Sequence, residues 1–143
     1  MLQTELDIVV RSTEIDVNGH VNNAKYLEYL EWGREVWYER AGFPYDRFLE
    51  MGYQTVTVNI NITYRRECRQ GERLTIVTKP LRAGRSSFTL RQEIFNERGE
   101  LCTEADVVIV TIDASTRRSR EMPEELKVLI EGNKREKEGS EPA

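Results

Sequence analysis

The chain has 143 residues, 38% hydrophobic and 32% charged, enough to bury one core and too few for two ordinary domains. Twenty-five acidic against twenty-one basic residues give a net charge of −4, which argues against bulk nucleic-acid binding. Two cysteines without a Cys-x-x-Cys pair, and a single histidine, suggest neither a zinc site nor a disulfide framework; no run approaches the ~18 apolar residues needed to span a membrane.

The N-terminus, Met1 to Glu5, lacks a basic region followed by an apolar run, so a reducing, cytoplasmic location is expected. Residues 5–11 alternate, with Leu6, Ile8 and Val10 opposite Asp7, Val9 and Arg11, as in a half-buried strand. This strand leads into Asp16-Val17-Asn18-Gly19-His20-Val21-Asn22-Asn23, a polar turn carrying a carboxylate, the only histidine and three amides. From Asn22 to about Arg40 the set Ala24, Leu27, Leu30, Val36, Trp37 and Ala41 recurs at helical spacing, with Asn22 or Asn23 as N-cap. Gly33 lies on the same side and is read as a close approach of the helix to another backbone. Gly42 followed by Pro44 is the stop signal.

The clearest strand runs from Thr55 to Tyr64, where Val56, Val58, Ile60, Ile62 and Tyr64 alternate with polar residues, giving one apolar and one polar face. Further strands are expected at about 73–81, 86–96 and 101–112, separated by turns at Ala83-Gly84-Arg85 and at residues 96–100. Connections this short cannot carry parallel crossovers. The order therefore predicts an α+β domain over residues 1–131, a mostly antiparallel sheet with the long helix on one face. A short helix is expected over Glu124 to Ile130, and the charged tail 132–143 is expected to be disordered.

Polar side chains just before a helix share a site with the unsatisfied N–H groups of its first turn, which suits chemistry passing through an oxyanion. Asp16 is the candidate nucleophile or general base, or else a turn aspartate bonded to its own backbone. His20 would position a substrate or water, or else complete the turn. Asn18 would hold a water or a carbonyl, or else precede Gly19 as a left-handed turn residue. The Asn23 backbone N–H is the natural oxyanion donor. Glu67 sits among arginines at a strand end, where a surface ion pair is the alternative. Arginines cluster at 65, 66, 69 and 73, at 82 and 85, and at 117, 118 and 120, as solvated strand ends or as contacts for a phosphate-bearing ligand or acidic partner. No Gly-x-Ser-x-Gly elbow, phosphate-binding loop or dinucleotide glycine pattern is present.

The segment from Asp16 to Tyr26 resembles the Asp-x-Asn-x-His-Val-Asn-Asn-x-x-Tyr signature of the hotdog-fold acyl thioesterases, especially the plant-type acyl-ACP enzymes. Tyr64-Arg65-Arg66-Glu67-Cys68 is similar to a second segment of that family, and the likeness extends over residues 5–113. The resemblance implies a single hotdog, a sheet wrapped around one long central helix, and cofactor-free, metal-free hydrolysis of an acyl-CoA or acyl-ACP. Asp16 would take the central carboxylate role, Asn18 and His20 would orient the reacting groups, and Glu67 would assist; Cys68 ranks below the carboxylates. Asn23 follows the acyl-ACP type rather than the hydroxybenzoyl-CoA group, which carries an aromatic or histidine there. The acyl chain would enter a tunnel lined by Tyr26 and Leu30 or by Tyr29 and Trp32, and Arg82, Gly84, Arg85 and Ser86 would contact the carrier. Plant-type enzymes carry two hotdogs in one chain, so this single one implies a homodimer or homotetramer with the active site at the subunit interface, and neither a nucleic-acid nor a membrane partner. A non-catalytic acyl-thioester binder, and less favourably a hydratase or dehydratase, are the alternatives.

Overall fold

The computed structural model describes residues 2–132. The strands are β1 (Thr4–Val9), β2 (Tyr53–Tyr64), β3 (Arg73–Ala83), β4 (Ser87–Phe95) and β5 (Leu101–Asp113). The helices are α1 (Asn23–Arg40), α2 (Tyr45–Glu50) and α3 (Glu124–Glu131), with a 3-10 turn at Ser12–Glu14. All strand pairs are antiparallel in the order β1-β3-β4-β5-β2, so the first two strands in sequence form opposite edges of the sheet. The tail expected to be disordered lies, from residue 133 on, outside the described residues.

One face of the sheet is the core, built by Leu74 and Ile76 of β3, Phe88, Leu90 and Ile94 of β4, and Ala105, Val107 and Ile109 of β5. The other face carries ion pairs such as Arg91–Asp106, Lys79–Glu93 and Arg65–Glu104, the division expected of an antiparallel sheet with one solvated side.

Helix α1 begins where expected, with the Asn22 side chain accepting the Ala24 N–H at 2.9 Å. It ends in a Schellman motif: Gly42, at φ +82°, donates to the Glu39 carbonyl and Phe43 donates to the Tyr38 carbonyl. Its buried stripe differs from the expected one. Tyr26, Tyr29, Leu30, Gly33 and Trp37 face the sheet together with Arg34, while Ala24 and Leu27 face outward. Large rings bury more apolar area than an alanine or a leucine, and they set the rotation of the helix. Two elements were not foreseen in the sequence, the 3-10 turn and α2. Pro44, read as a stop, also opens α2, its carbonyl accepting from Arg47 and Phe48.

In β2 the expected unbroken alternation is interrupted. The register shifts between Thr57, opposite Ile109, and Asn59, opposite Val108, which leaves Val58 as a bulge. Tyr53, Thr55 and Thr57 therefore share the core-side face with Ile60, Ile62 and Tyr64, whereas Val56 lies on the other face.

Gly33 is the point of closest approach, though to side chains of the sheet rather than to backbone. A Cβ there would lie 2.7 Å from Ile76 Cγ2, 3.0 Å from Gln92 Nε2 and 3.1 Å from Thr78 Oγ1. Overpacking of this kind costs ~1–3 kcal/mol, against a gain of ~1 kcal/mol in helix propensity. Gly33→Ala is expected to lower stability by about 1–2 kcal/mol in urea unfolding, and less in an Ile76→Ala background, because that change removes the nearest clash.

Candidate active site

The polar turn is a small hairpin. Ile15 and Val21 form a bridge, Asp16 N–H donates to the His20 carbonyl at 2.9 Å, and Gly19, at φ +84°, donates to the Asp16 carbonyl at 3.1 Å. Asn22 N–H closes the base on the Glu14 carbonyl at 3.0 Å. The returning arm is tied to the segment after β2 by Val21 N–H to the Cys68 carbonyl at 2.9 Å. This bond draws Glu67 to the histidine, and His20 Nε2 lies 3.3 Å from Glu67 Oε2.

Asp16 Oδ1 accepts the Asn18 N–H at 2.8 Å, so the turn-aspartate role is realised; among the described residues no hydrogen bond takes up Oδ2. Asn23 is the first residue of α1. Its carbonyl accepts from the Tyr64 hydroxyl at 3.2 Å, and its N–H meets no acceptor among the described residues. An open pocket of ≈ 240 Å³ is lined by His20, Val21, Asn23, Tyr26, Tyr64, Arg65, Arg66 and Glu67. Asp16 and Asn18 stand on the outer limb of the turn, outside this lining, with the fully exposed Val17 between them.

Tyr26 is buried, and its hydroxyl already accepts the Cys68 N–H at 3.2 Å, so the ring serves as a wall that fixes the Cys68 segment. Burial raises its phenol far above the ordinary range. Tyr29 and Leu30 are likewise packed in the core, and Trp32 lies toward β1 beside Val9 and Arg73, so these three stand outside the lining of the pocket at the turn.

Arg82, Gly84, Arg85 and Ser86 lie elsewhere. Tyr64 pairs with Thr103 and Ser87 with Val110, so the turn between β3 and β4 is ~23 Å along β5 from the histidine pocket of the same chain. The fold sets this turn against the segment after β5. Thr111 N–H donates to Ser86, Met122 N–H to Arg85, and Asp113 N–H to Arg118. Two arginine clusters separate in sequence thus come to one end of the sheet, where Arg85 pairs with Glu121, Arg120 with Asp113, and Arg117 bonds to Gln54. The remaining cluster is compensated: Arg65 pairs with Glu104, Arg66 and Arg98 share Glu100, and Glu67 and Glu72 line the same surface. Only the strand register reveals that convergence.

A single antiparallel sheet with α1 against it, and a carboxylate and histidine turn at the helix N-terminus, define a hotdog-type thioesterase domain. The comparisons agree. A family model described as the thioesterase-like superfamily matches residues 10–130. Long-chain acyl-CoA thioesterase FadM of Escherichia coli K12 is 36% identical over 134 residues, spanning 91% of this chain and 97% of its own. Among solved structures, the fold is shared with Slr0204, a 1,4-dihydroxy-2-naphthoyl-CoA thioesterase from Synechocystis, at TM-score 0.82 and 19% identity over 91% of this chain and 96% of that one. It is also shared with SAV2348 from Staphylococcus aureus in complex with CoA, at TM-score 0.85 and 21% identity over 99% and 87%. The chain belongs to the thioesterase-like superfamily and is a thioesterase.

Cys68 lies beside the site but is fully buried, and burial pushes its thiol up to about 12. Such a thiol is protonated at neutral pH and a poor nucleophile. Alkylation of native protein by iodoacetamide at neutral pH, followed by mass spectrometry, is expected to leave Cys68 unmodified. Because the folded state holds this proton more tightly than the unfolded chain, the contribution to stability is complete below the ordinary thiol range and is lost as pH rises toward 12. Cys68→Val should reduce the alkaline fall of the unfolding midpoint.

Proposed function

We propose that the protein hydrolyses acyl-CoA thioesters without metal or cofactor, with Asp16, Asn18, His20 and Glu67 as its polar machinery. The observation that carries this reading is the His20–Glu67 contact of 3.3 Å beside the Asn23 N–H at the start of α1, which meets no acceptor among the described residues. The thioester carbonyl oxygen takes the Asn23 N–H, so charge developing on it meets the positive end of the helix dipole. Asp16 either attacks the carbonyl carbon or removes a proton from the attacking water, and the His20–Glu67 pair orients that water. Water adds across the acyl–sulfur bond, the acyl group leaves as a carboxylic acid, and the sulfur leaves with a proton as the thiol.

The basic end of the sheet supports coenzyme A as carrier, because guanidinium groups suit phosphates. An acidic carrier protein is the second candidate. With that end ~23 Å from the histidine pocket of one chain, a homodimer in which the partner supplies the carrier contacts fits best. Two features support self-association: among the described residues β2 has an unpaired edge, and Val17, Leu27 and Tyr64 leave apolar surface around the pocket. Two free, buried thiols fit a reducing cytoplasm.

The test is thiol release from acyl-CoAs of two to eighteen carbons and from an aromatic acyl-CoA. Wild type is expected to turn over, and Asp16→Asn to lose ~10²-fold or more in kcat with KM little changed. Binding without turnover by both proteins, for acyl-CoA and acyl-ACP alike, would identify a non-catalytic binder instead.

A further inference from the structure

We infer that Glu14 is a positioning residue for thioester hydrolysis: its buried carboxylate fixes the 3-10 turn whose carbonyl holds Asn22, and so aims the Asn23 N–H at the thioester oxygen; this rests on the thioesterase reading above. Among the described residues Glu14 is the one buried acidic side chain, at 8% exposure, and no lysine, arginine or histidine pairs with it. Burying a carboxylate without a cation is costly, and its hydrogen bonds account for its presence. Glu14 Oε1 accepts the Arg11 N–H at 2.8 Å, and the Glu14 N–H donates to the Arg11 carbonyl at 3.0 Å. These two bonds close a turn of three residues that is too short to be firm by itself. The same carboxylate acts on Tyr29 of α1, whose phenol is raised above the ordinary range first by burial and then by Glu14. The Tyr29 hydroxyl is fully buried with no hydrogen-bond partner among the described residues, so the side chain of Glu14 is set between the turn and the helix.

The first N–H groups of a helix lack partners within it, and around α1 they are allotted one by one. Asn22 N–H donates to the Glu14 carbonyl at 3.0 Å, Ala24 N–H to Asn22 Oδ1 at 2.9 Å, and Lys25 N–H to the Asn22 carbonyl at 2.9 Å. Asn23 N–H alone is left without an acceptor among the described residues, beside the pocket lined by His20 and Glu67. Asn22 is thus held at its N–H, its side chain and its carbonyl, and the bond at the N–H is the one that comes from outside the helix. That bond fixes how the peptide carrying the Asn23 N–H is turned relative to the hairpin that carries Asp16 and His20. A misplacement of ~1 Å at such a donor costs up to ~10²-fold in rate. Glu14 itself stands outside the pocket lining and acts on the reaction only through Asn22.

The experiment compares Glu14→Gln with Glu14→Met. Both remove the charge at similar volume, and only glutamine keeps an oxygen for the Arg11 N–H. For each, kcat and KM are measured on the best acyl-CoA substrate, the folded fraction is followed by circular dichroism, and amide exchange at Asn22 is followed by NMR. Glu14→Met is expected to lower kcat about 10-fold to 100-fold with KM within about 2-fold of wild type, and to speed exchange at Asn22. Glu14→Gln is expected to stay within about 3-fold of wild type in kcat and to exchange at the wild-type rate. An unchanged kcat in folded Glu14→Met overturns the proposal, as does an equal loss in both variants, which would make the charge and not the anchor the active feature. A loss that only tracks the unfolded fraction overturns it too. Should Glu14→Met not fold, Glu14→Ala takes its place, and failure of both to fold makes the residue purely structural and overturns the proposal. If wild type hydrolyses no acyl-CoA, the thioesterase reading fails first. Exchange at Asn22 then decides the anchor alone: faster in Glu14→Met and unchanged in Glu14→Gln upholds it, and equal rates in all three overturn it.

Discussion

The structure depends on how deeply α1 seats on the sheet, and Gly33 sets that depth. With no side chain at this position, Ile76, Thr78 and Gln92 approach the helix within van der Waals range, and Gln92 donates to the Leu30 carbonyl at 2.8 Å. That amide also accepts from Arg34 at 3.1 Å, so the buried guanidinium is held from the sheet side. Seating α1 in this rotation brings its N-terminus to Tyr64, and the carbonyl of Asn23 is held there. The helix dipole, the histidine turn and the end of β2 converge because one residue allows the helix close.

The hydrogen bond from Val21 to the Cys68 carbonyl does for the turn what Gly33 does for the helix. Glu67 is exposed, and an isolated exposed contact with His20 is worth little. Its geometry is imposed instead by its neighbour, since Cys68 is bonded through its carbonyl to Val21 and through its N–H to the Tyr26 hydroxyl. A buried cysteine can thus matter to the site without taking part in chemistry.

The sequence carried the architecture because its signals were local. The N-cap at Asn22, the stop at Gly42 and the hairpin turns each act through neighbours a few residues away. What it concealed was tertiary. The alternation of β2 reads as one apolar face, yet the bulge at Val58 is fixed by pairing with β5, fifty residues later. The expected stripe of α1 held at Leu30 and Trp37, whereas packing took Tyr26 and Tyr29 in place of Ala24 and Leu27. Likewise the three arginine clusters look alike in sequence, and only strand pairing neutralises one and merges the other two.

The bulge at Val58 also shapes the core-side face of β2. Without it, the core-side residues of β2 would continue from Ile62 and Ile60 to Val58 and Val56, an apolar face along the whole strand. The extra residue turns those valines away and presents Thr57 and Thr55 instead. The core-side face is therefore aliphatic toward Tyr64 and hydroxyl-bearing near Arg34, where Thr55 and Thr57 share a pocket with that side chain. One residue inserted in an edge strand thus decides which part of that face is apolar and which can take a polar partner.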